Sequence, residues 1–310
     1  LHRRAAPEAR IQPLFDAPKQ SWTRVLKPLR LRHWLKNFLL FVPLLAAHRL
    51  FEPQSLLQSF LAFVAFGCVA SAGYVWNDLF DLASDRRHPE KRHRPFASGD
   101  LPVLYGTWLI PSLVGLGSLV GFLVSPLFLL ALWIYLVLTA SYSFYARKVV
   151  LLDVILLAGL YTMRIMAGSA AIAVWPSQWL LAFSTFLFFS LALVKRYGEL
   201  VIMRRVEGEH AKARGYELGD GELLAAMGAA SGYVAVLVLA LYVESDAAHH
   251  LYGRFEMMWL VCPLLLYWIS HVWLFAHRGK MPDDPVVFAI HDRTSRILIA
   301  LMAAIMVLAL

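Results

Sequence analysis

Nine apolar blocks, each near the length that crosses a lipid bilayer, constrain this chain more than any other feature. A transmembrane helix needs about 20 mostly apolar residues. Of the 310 residues, 59% are hydrophobic and 16% charged, whereas soluble domains carry about 25% charge. The sequence therefore predicts one all-α, polytopic membrane domain with about nine transmembrane helices. The predicted spans are residues 34–49, 54–77, 103–124, 126–145, 150–174, 178–195, 221–243, 256–277 and 292–310.

Basic residues are concentrated on one side of these spans. If the N-terminus is cytoplasmic, 26 of the 29 Lys and Arg residues fall in cytoplasmic segments, as the positive-inside rule requires. The pattern predicts a cytoplasmic N-terminus and an odd number of spans. The same bias explains the net charge of +8, so we expect no nucleic-acid partner.

Residues 1–28 are polar, basic and proline-bearing, and we expect a cytoplasmic linker there, ahead of a membrane domain at 29–310. No apolar segment follows the basic start, so the pattern is not that of a signal peptide. Because the chain starts at Leu1, the linker is expected to follow a further domain upstream.

Three carboxylates follow the second predicted span at helical spacing. Asp78, Asp81 and Asp85 lie within about 60° of one another on a helix, with Asn77 at the edge of the stripe. Like charges on one stripe repel, and hard oxygen ligands suit Mg²⁺ bound together with phosphates. Asp78 and Asp85 are predicted about 10 Å apart along the axis, too far to share one ion directly. The stripe thus predicts a Mg²⁺–diphosphate site; the alternative is a solvated helix end paired with the cations that follow.

Cations near the ends of other spans are candidate phosphate ligands. Arg94, held before Pro95, is the best placed in the basic loop after the stripe, where a guanidinium can clamp phosphate oxygens. Lys36, beside Asn37, either binds phosphate or extends to the membrane interface. The remaining candidates close the fourth and sixth spans: Tyr142, Arg147, Lys148, Lys195, Arg196, Tyr197 and Glu199.

Arg164 lies inside the fifth span, where an ionisable residue marks a functional site by default; the alternative is a structural bond to carbonyls or to an acid. Asp153 is on the same helix face but about 16 Å away, so the two are not expected to pair. The acidic pair before Pro285 is expected only to cap the last helix.

The motif N-D-x-x-D-x-x-x-D at 77–85, followed by K-x-x-R-P-F-A-S-G at 91–99, resembles the UbiA superfamily of membrane prenyltransferases. The resemblance covers nearly the whole chain from Arg30. It implies helices around a central cavity open to the cytoplasm, and a Mg²⁺-bound diphosphate held at two acidic motifs.

The second acidic motif of that superfamily, D-x-x-x-D, is replaced here by KRYGE at 195–199. This replacement, together with RLRHWLKN at 30–37 and DVILLAGLYTMR at 153–164, resembles the sequences of one branch of the superfamily. Enzymes of that branch move phosphoribose from phosphoribosyl pyrophosphate to a polyprenyl phosphate, in a cell-wall pathway. Arg147 stands where that branch generally has Lys. Some of its members carry an upstream phosphatase-like domain.

The resemblance implies a role for each candidate. Mg²⁺ and pyrophosphate would be held by Asn77 and by the catalytic residues Asp78, Asp81 and Asp85. The donor phosphates would be held by Lys36, Arg94, Tyr142 and Arg147, and the lipid phosphate by Lys195, Arg196 and Arg164. Asn37, Lys148, Tyr197 and Glu199 would complete the substrate site.

Two other functions are consistent with parts of this sequence pattern. An aromatic prenyltransferase, joining a prenyl diphosphate to an acceptor of the 4-hydroxybenzoate type, shares the first motif but not the basic second one. A transporter would concentrate charge at mid-membrane and show repeated halves, which this sequence does not. We expect an enzyme of the bacterial cytoplasmic membrane with its active site on the cytoplasmic side.

Overall fold

The computed structural model describes residues 26–87, 91–207, 215–282 and 284–310. All of its longer elements in these ranges are helices. Each predicted apolar block is helical there, and we number these helices α1 to α9. Residues 1–25 of the predicted linker lie outside the described residues. The helices are α1 (3-10 over Leu31–Phe41, then α over Val42–Ala46), α2 (Pro53–Phe80), α3 (Val103–Val124), α4 (Pro126–Phe144), α5 (Leu152–Ala171), α6 (Gln178–Glu207), α7 (Gly221–Val243), α8 (Val261–His277) and α9 (Arg293–Ala309).

Seven of these helices, α2 to α8, are long and apolar enough to cross a membrane. The expectation of an all-helical integral membrane protein is confirmed. Helices α1 and α9 are shorter, so the count of nine spans stays a prediction. Helices α3 and α4 expose large apolar side chains such as Trp108, Phe122 and Leu130, as helices facing lipid must.

Helix α5 lies at the centre of the bundle because its sequence lets neighbouring backbones come close. Its C-terminal half carries a run of buried small residues at 167–171, the residue type that favours close helix packing in membranes. A Cβ on Gly168 would lie 2.2 Å from the carbonyl oxygen of Leu40, so only glycine permits the contact between α5 and α1.

Short helical segments gather at the end of the bundle where the predicted site lies. Helix α2 ends at Phe80, the chain bends at Asp81, and Leu82–Asp85 forms one more turn. Ala146–Lys148 follows α4, and Pro285–His291 precedes α9. These segments bring the ends of α2, α4 and α9 toward the start of α1.

Candidate active site

The acidic stripe predicted from sequence forms an acidic helix end, which we define as Asp78, Asp81 and Asp85. Arg94 Nη1 donates to Asp85 Oδ2 at 2.6 Å and to Asp78 Oδ1 at 3.2 Å. Arg30 Nη2 donates to Asp78 Oδ1 at 2.5 Å. The carboxylates of Asp78 and Asp85 thus reach a single guanidinium nitrogen of Arg94 across the bend at Asp81, while the expectation that they cannot directly share one metal ion stays a prediction.

Asp81 has a separate partner. Both terminal nitrogens of Arg147 donate to its carboxylate at 3.0 Å, the bidentate geometry that makes such pairs strong. This hydrogen bonding holds the pKa of Asp81 below its ordinary value, against burial, which would raise it. Asp81 is therefore a carboxylate at neutral pH.

A polar cavity of about 380 Å³ adjoins Asp81 and Asp85. Its walls also carry Lys91, Arg147 and Lys148. A cavity lined by both carboxylates and cations suits a metal-bound diphosphate, because the cations bind phosphate oxygens directly.

Asn77 lies apart from this cavity. It borders an apolar groove of about 250 Å³ between α2, α3 and α4, whose walls include Trp76, Trp133 and Phe144. The structure thus places Asn77 between a polar cavity at the helix end and an apolar groove along the helices.

The chemistry of the acidic helix end fits Mg²⁺, since it offers hard carboxylate oxygens beside a cavity that admits phosphates. In the described residues, no group of three His, Cys, Asp or Glu side chains converges on one point. Arg30, Arg94 and Arg147 occupy the positions that a metal would share. A bound ion would therefore replace part of these guanidinium contacts.

A second cluster, the buried lysine centre, consists of Lys36, Lys195 and Asp284. Lys36 Nζ is in direct ionic contact with Asp284 Oδ2, and both side chains are nearly buried. Lys195 lies within electrostatic range of both. Among the described residues no hydrogen bond or ion pair to the Lys195 ammonium is formed. The sequence placed Lys36 and Lys195 in the site but gave Asp284 only a helix-capping role.

Two neutral groups border the buried lysine centre. The Tyr161 hydroxyl donates to Asp284 at 3.3 Å. Burial, followed by the charges of Lys36 and Arg30, lowers the pKa of His33 to about 4. Burial has the largest influence on Asp284 and would raise its pKa, but the charge and hydrogen bond of Lys36, the charge of Lys195 and the Val287 N–H together bring the pKa below its ordinary value. At neutral pH Asp284 is therefore ionised and His33 is uncharged.

The contacts of Arg164 are those of the structural alternative, in which its guanidinium bonds to a backbone carbonyl. Its guanidinium donates to Leu160 O at 2.6 Å, to the Tyr135 hydroxyl at 3.0 Å and to Asn37 Oδ1 at 3.2 Å. As expected, it does not pair with Asp153. These contacts join α1, α4 and α5 around one buried cation.

Arg196 forms a buried ion pair with Asp153, at 2.7 Å between Nε and Oδ2. This contact is not aligned as a hydrogen bond. Arg196 also donates to Glu199 at 2.5 Å, and its Nη2 lies 3.5 Å from the Tyr142 hydroxyl. Tyr216 donates to the other Asp153 oxygen at 2.7 Å. Arg196 is fully buried among protein partners.

The Tyr197 side chain contacts residues of α8. Its hydroxyl is 2.8 Å from His277 Nδ1, and its ring packs against Trp273. The consecutive residues 195, 196 and 197 thus have three different environments, as expected from the 100° turn between neighbours on a helix.

Sequence reasoning missed several members of both clusters. Arg30, His33, Tyr161 and Asp284 received no role in binding. Arg30 adopts a left-handed backbone conformation at φ 48°, which ends a short 3-10 turn beside Asp78. No local pattern marks these residues, because each meets its partner through tertiary packing.

Comparison with known proteins identifies the family. The model of the UbiA prenyltransferase family matches residues 38–291. The chain belongs to this family. The UbiA match includes the acidic helix end, Lys195 and Asp284.

Relatives of this UbiA-family chain include two rhizobial proteins. The nodulation protein NoeC of Azorhizobium caulinodans is 39% identical, over 91% of this chain and 92% of its own length. The uncharacterized protein y4nM of Sinorhizobium fredii is 36% identical over 99% of this chain. This chain spans 60% of y4nM.

A third relative carries an enzyme name. The decaprenyl-phosphate phosphoribosyltransferase of Corynebacterium glutamicum is 33% identical over 63% of this chain and 60% of its own length.

Solved structures show the same fold. A UbiA homologue from Archaeoglobus fulgidus, bound to GPP and Mg²⁺, matches with a TM-score of 0.65 at 17% identity, over 91% of this chain and 99% of its own. At this identity the likeness concerns the arrangement of helices.

Proposed function

We propose that this UbiA-family protein transfers 5-phosphoribose from phosphoribosyl pyrophosphate to a polyprenyl phosphate of the decaprenyl type, releasing pyrophosphate. The reaction is Mg²⁺-dependent and takes place on the cytoplasmic side of the bacterial inner membrane. The observation that carries the proposal is the buried lysine centre. The ammonium of Lys195 has no direct ion pair among the described residues, which favours a second anionic substrate bound without metal, as a phosphate acceptor requires.

The donor end of the site is the acidic helix end with its polar cavity. Asp78, Asp81 and Asp85 would hold Mg²⁺, which neutralises charge on a leaving pyrophosphate when bound. Arg147 and Lys148 line the cavity and bind donor phosphate oxygens. Fixed cations of this kind stabilise the charge that develops as the bond from C1 to pyrophosphate breaks.

The acceptor end is the buried lysine centre. Lys195 and Lys36 hold the lipid phosphate, one of whose oxygens forms the new bond to C1 of ribose while pyrophosphate leaves with the bonding electrons. A phosphate monoester is already ionised at neutral pH, so no protein base is needed. Arg196, held by Asp153, is left with a structural role.

The apolar groove beside Asn77 supports a long prenyl substrate. Its walls are almost entirely apolar, and it lies along helices that face lipid. A prenyl chain bound there would keep its tail in the membrane.

A paired assay tests the proposal. Membranes containing the protein receive Mg²⁺, polyprenyl phosphate and phosphoribosyl pyrophosphate labelled in the ribose, and the organic phase is examined for label. Prenyl diphosphate with 4-hydroxybenzoate forms the second arm. Label in the organic phase of the first arm is expected; product in the second arm alone would overturn the proposal in favour of aromatic prenyl transfer.

A variant pair locates the acceptor end. Lys195→Gln should raise the KM for polyprenyl phosphate by about tenfold, the loss expected for one charge-assisted contact, with the KM for the donor nearly unchanged. Lys280→Gln, an exposed lysine after α8, is the matched control. Equal effects on both substrates would contradict the assignment.

A further inference from the structure

We infer that Asp284 is an internal counter-ion for the acceptor site: it holds Lys36 while the site is empty and releases it to the lipid phosphate on binding. This inference rests on the proposed function, which assigns that phosphate to the buried lysine centre. It adds a positioning residue that the acceptor must displace from its lysine.

The carboxylate of Asp284 is anchored independently of Lys36. It caps the segment Pro285–His291, accepting from Val286 N at 3.0 Å and from Val287 N at 3.4 Å. The Tyr161 hydroxyl supplies a further hydrogen bond at 3.3 Å. If Lys36 leaves, three donors still satisfy the carboxylate.

Lys36 is the mobile partner of this pair. It reaches Asp284 through a flexible four-carbon stem, and its ammonium can reorient among acceptors, unlike a backbone-anchored cap. The side chain extends over the Tyr161 ring, 5.6 Å from its centroid. A small rotation of the stem suffices to turn the charge from the carboxylate toward a neighbouring anion.

The charges of the centre drive the exchange. Lys36 contacts Asp284. Lys195 lies within electrostatic range of Glu199 and Asp284 without a direct ion pair among the described residues. His33, with a pKa of about 4, adds no charge at neutral pH. A phosphate monoester brings about −1.5 to −2 charges at pH 7. It therefore satisfies both lysines, which Asp284 alone does not.

The substitution Asp284→Asn isolates this role, because Asn caps helices about as well as Asp and keeps the side-chain shape. With no carboxylate competing for Lys36, the purified protein should bind farnesyl phosphate more tightly in EDTA, with Kd lowered by about tenfold, as removal of one competing charged contact predicts. The KM for phosphoribosyl pyrophosphate should not change.

Thermal stability provides a second readout. Asp284→Asn leaves Lys36 buried without a partner, so Tm should fall in the ligand-free protein and recover when farnesyl phosphate binds. Asp292→Asn is the matched control, since Asp292 caps α9 through Ser295 N at 2.7 Å and pairs with His271. It should lower Tm equally with and without ligand.

Weaker or unchanged binding of farnesyl phosphate to Asp284→Asn would overturn the inference. Asp284→Ser serves as a second variant, because Ser also caps helices and carries no charge. If both variants fold only in the presence of farnesyl phosphate, the inference is supported. If neither variant folds in the presence of farnesyl phosphate, the inference fails. The proposed function is judged separately by the wild-type transfer assay. A protein that binds farnesyl phosphate as described but transfers no phosphoribose would refute only that function.

Discussion

The acidic helix end and the buried lysine centre differ in how their charges balance. Around the acidic helix end, the three carboxylates meet three guanidinium groups, from Arg30, Arg94 and Arg147. In the buried lysine centre, Lys36 contacts the carboxylate of Asp284, while Lys195 lies within electrostatic range of Glu199 and Asp284 and forms no direct ion pair among the described residues. The charged groups of the first cluster are all in direct ion pairs, and the second cluster includes an ammonium that is not.

This difference bears on what each cluster can bind. Removing one partner from a balanced cluster leaves an uncompensated charge, so a metal and its diphosphate must arrive together and take over the existing contacts. A cluster whose ammonium lacks a direct ion pair can bind an anion without any metal. The same chain thus offers one site for a metal-bound diphosphate and one for a bare phosphate, and the following predictions test that division.

The largest effect is expected from Asp81→Ala. Removing this carboxylate takes away a metal ligand and frees Arg147, so phosphoribosyl transfer should fall by about a thousandfold or more, as for loss of a main transition-state contact. Protein levels should stay near those of wild type, because Asp81 is partly exposed. Initial rates at saturating donor and acceptor measure the effect.

Asp100→Ala, an exposed carboxylate of the same loop, is the control and should retain activity. Turnover near the wild-type level in Asp81→Ala would refute the metal-site assignment.

The next effect concerns stability. Asp153→Asn removes the buried carboxylate beside Arg196 and leaves that guanidinium with Glu199 as its remaining ion-pair partner, so the loss should be smaller than the about 3–5 kcal/mol that a fully uncompensated buried charge costs. The detergent-solubilised variant should show a lower Tm. Farnesyl phosphate should not restore it, because Arg196 keeps Glu199 as its partner and does not belong to the acceptor site. Recovery by the ligand would place Arg196 in the acceptor site.

Sequence reasoning succeeded where the signal is local. Hydropathy located the helices, helical spacing placed three aspartates on one stripe, and the basic loop after it offered Arg94, which contacts Asp78 and Asp85. It failed where partners are distant in the chain. The pair of Lys36 and Asp284 joins α1 to the segment before α9, and only tertiary packing brings them together.

A smaller effect is expected from pH. His33 has a pKa of about 4 in the folded protein, lowered by burial, against about 6.5 when unfolded. Between these values the unfolded chain binds the extra proton, so stability is full above pH 6.5 and falls as pH drops toward 4. From pH 7 to 5 the loss should be about 1 kcal/mol once solvent screening is included.

His33→Gln should flatten this part of the stability curve, measured as Tm against pH, while replacement of the exposed His93 should not. An unchanged slope in His33→Gln would mean that the folded and unfolded states bind the imidazole proton equally, which would refute the lowered pKa of His33.

The smallest effect is expected from Tyr197→Phe. Although Tyr197 lies two residues after Lys195, its hydroxyl contacts His277 on the outer face of α6, so loss of that hydroxyl should change transfer less than about twofold, the range of a single partly exposed hydrogen bond. Tyr161→Phe removes a hydroxyl that contacts Asp284 instead, and should alter the KM for polyprenyl phosphate more. If Tyr197→Phe has the larger effect on acceptor KM, the acceptor phosphate lies on the Tyr197 face of α6 and not at the buried lysine centre.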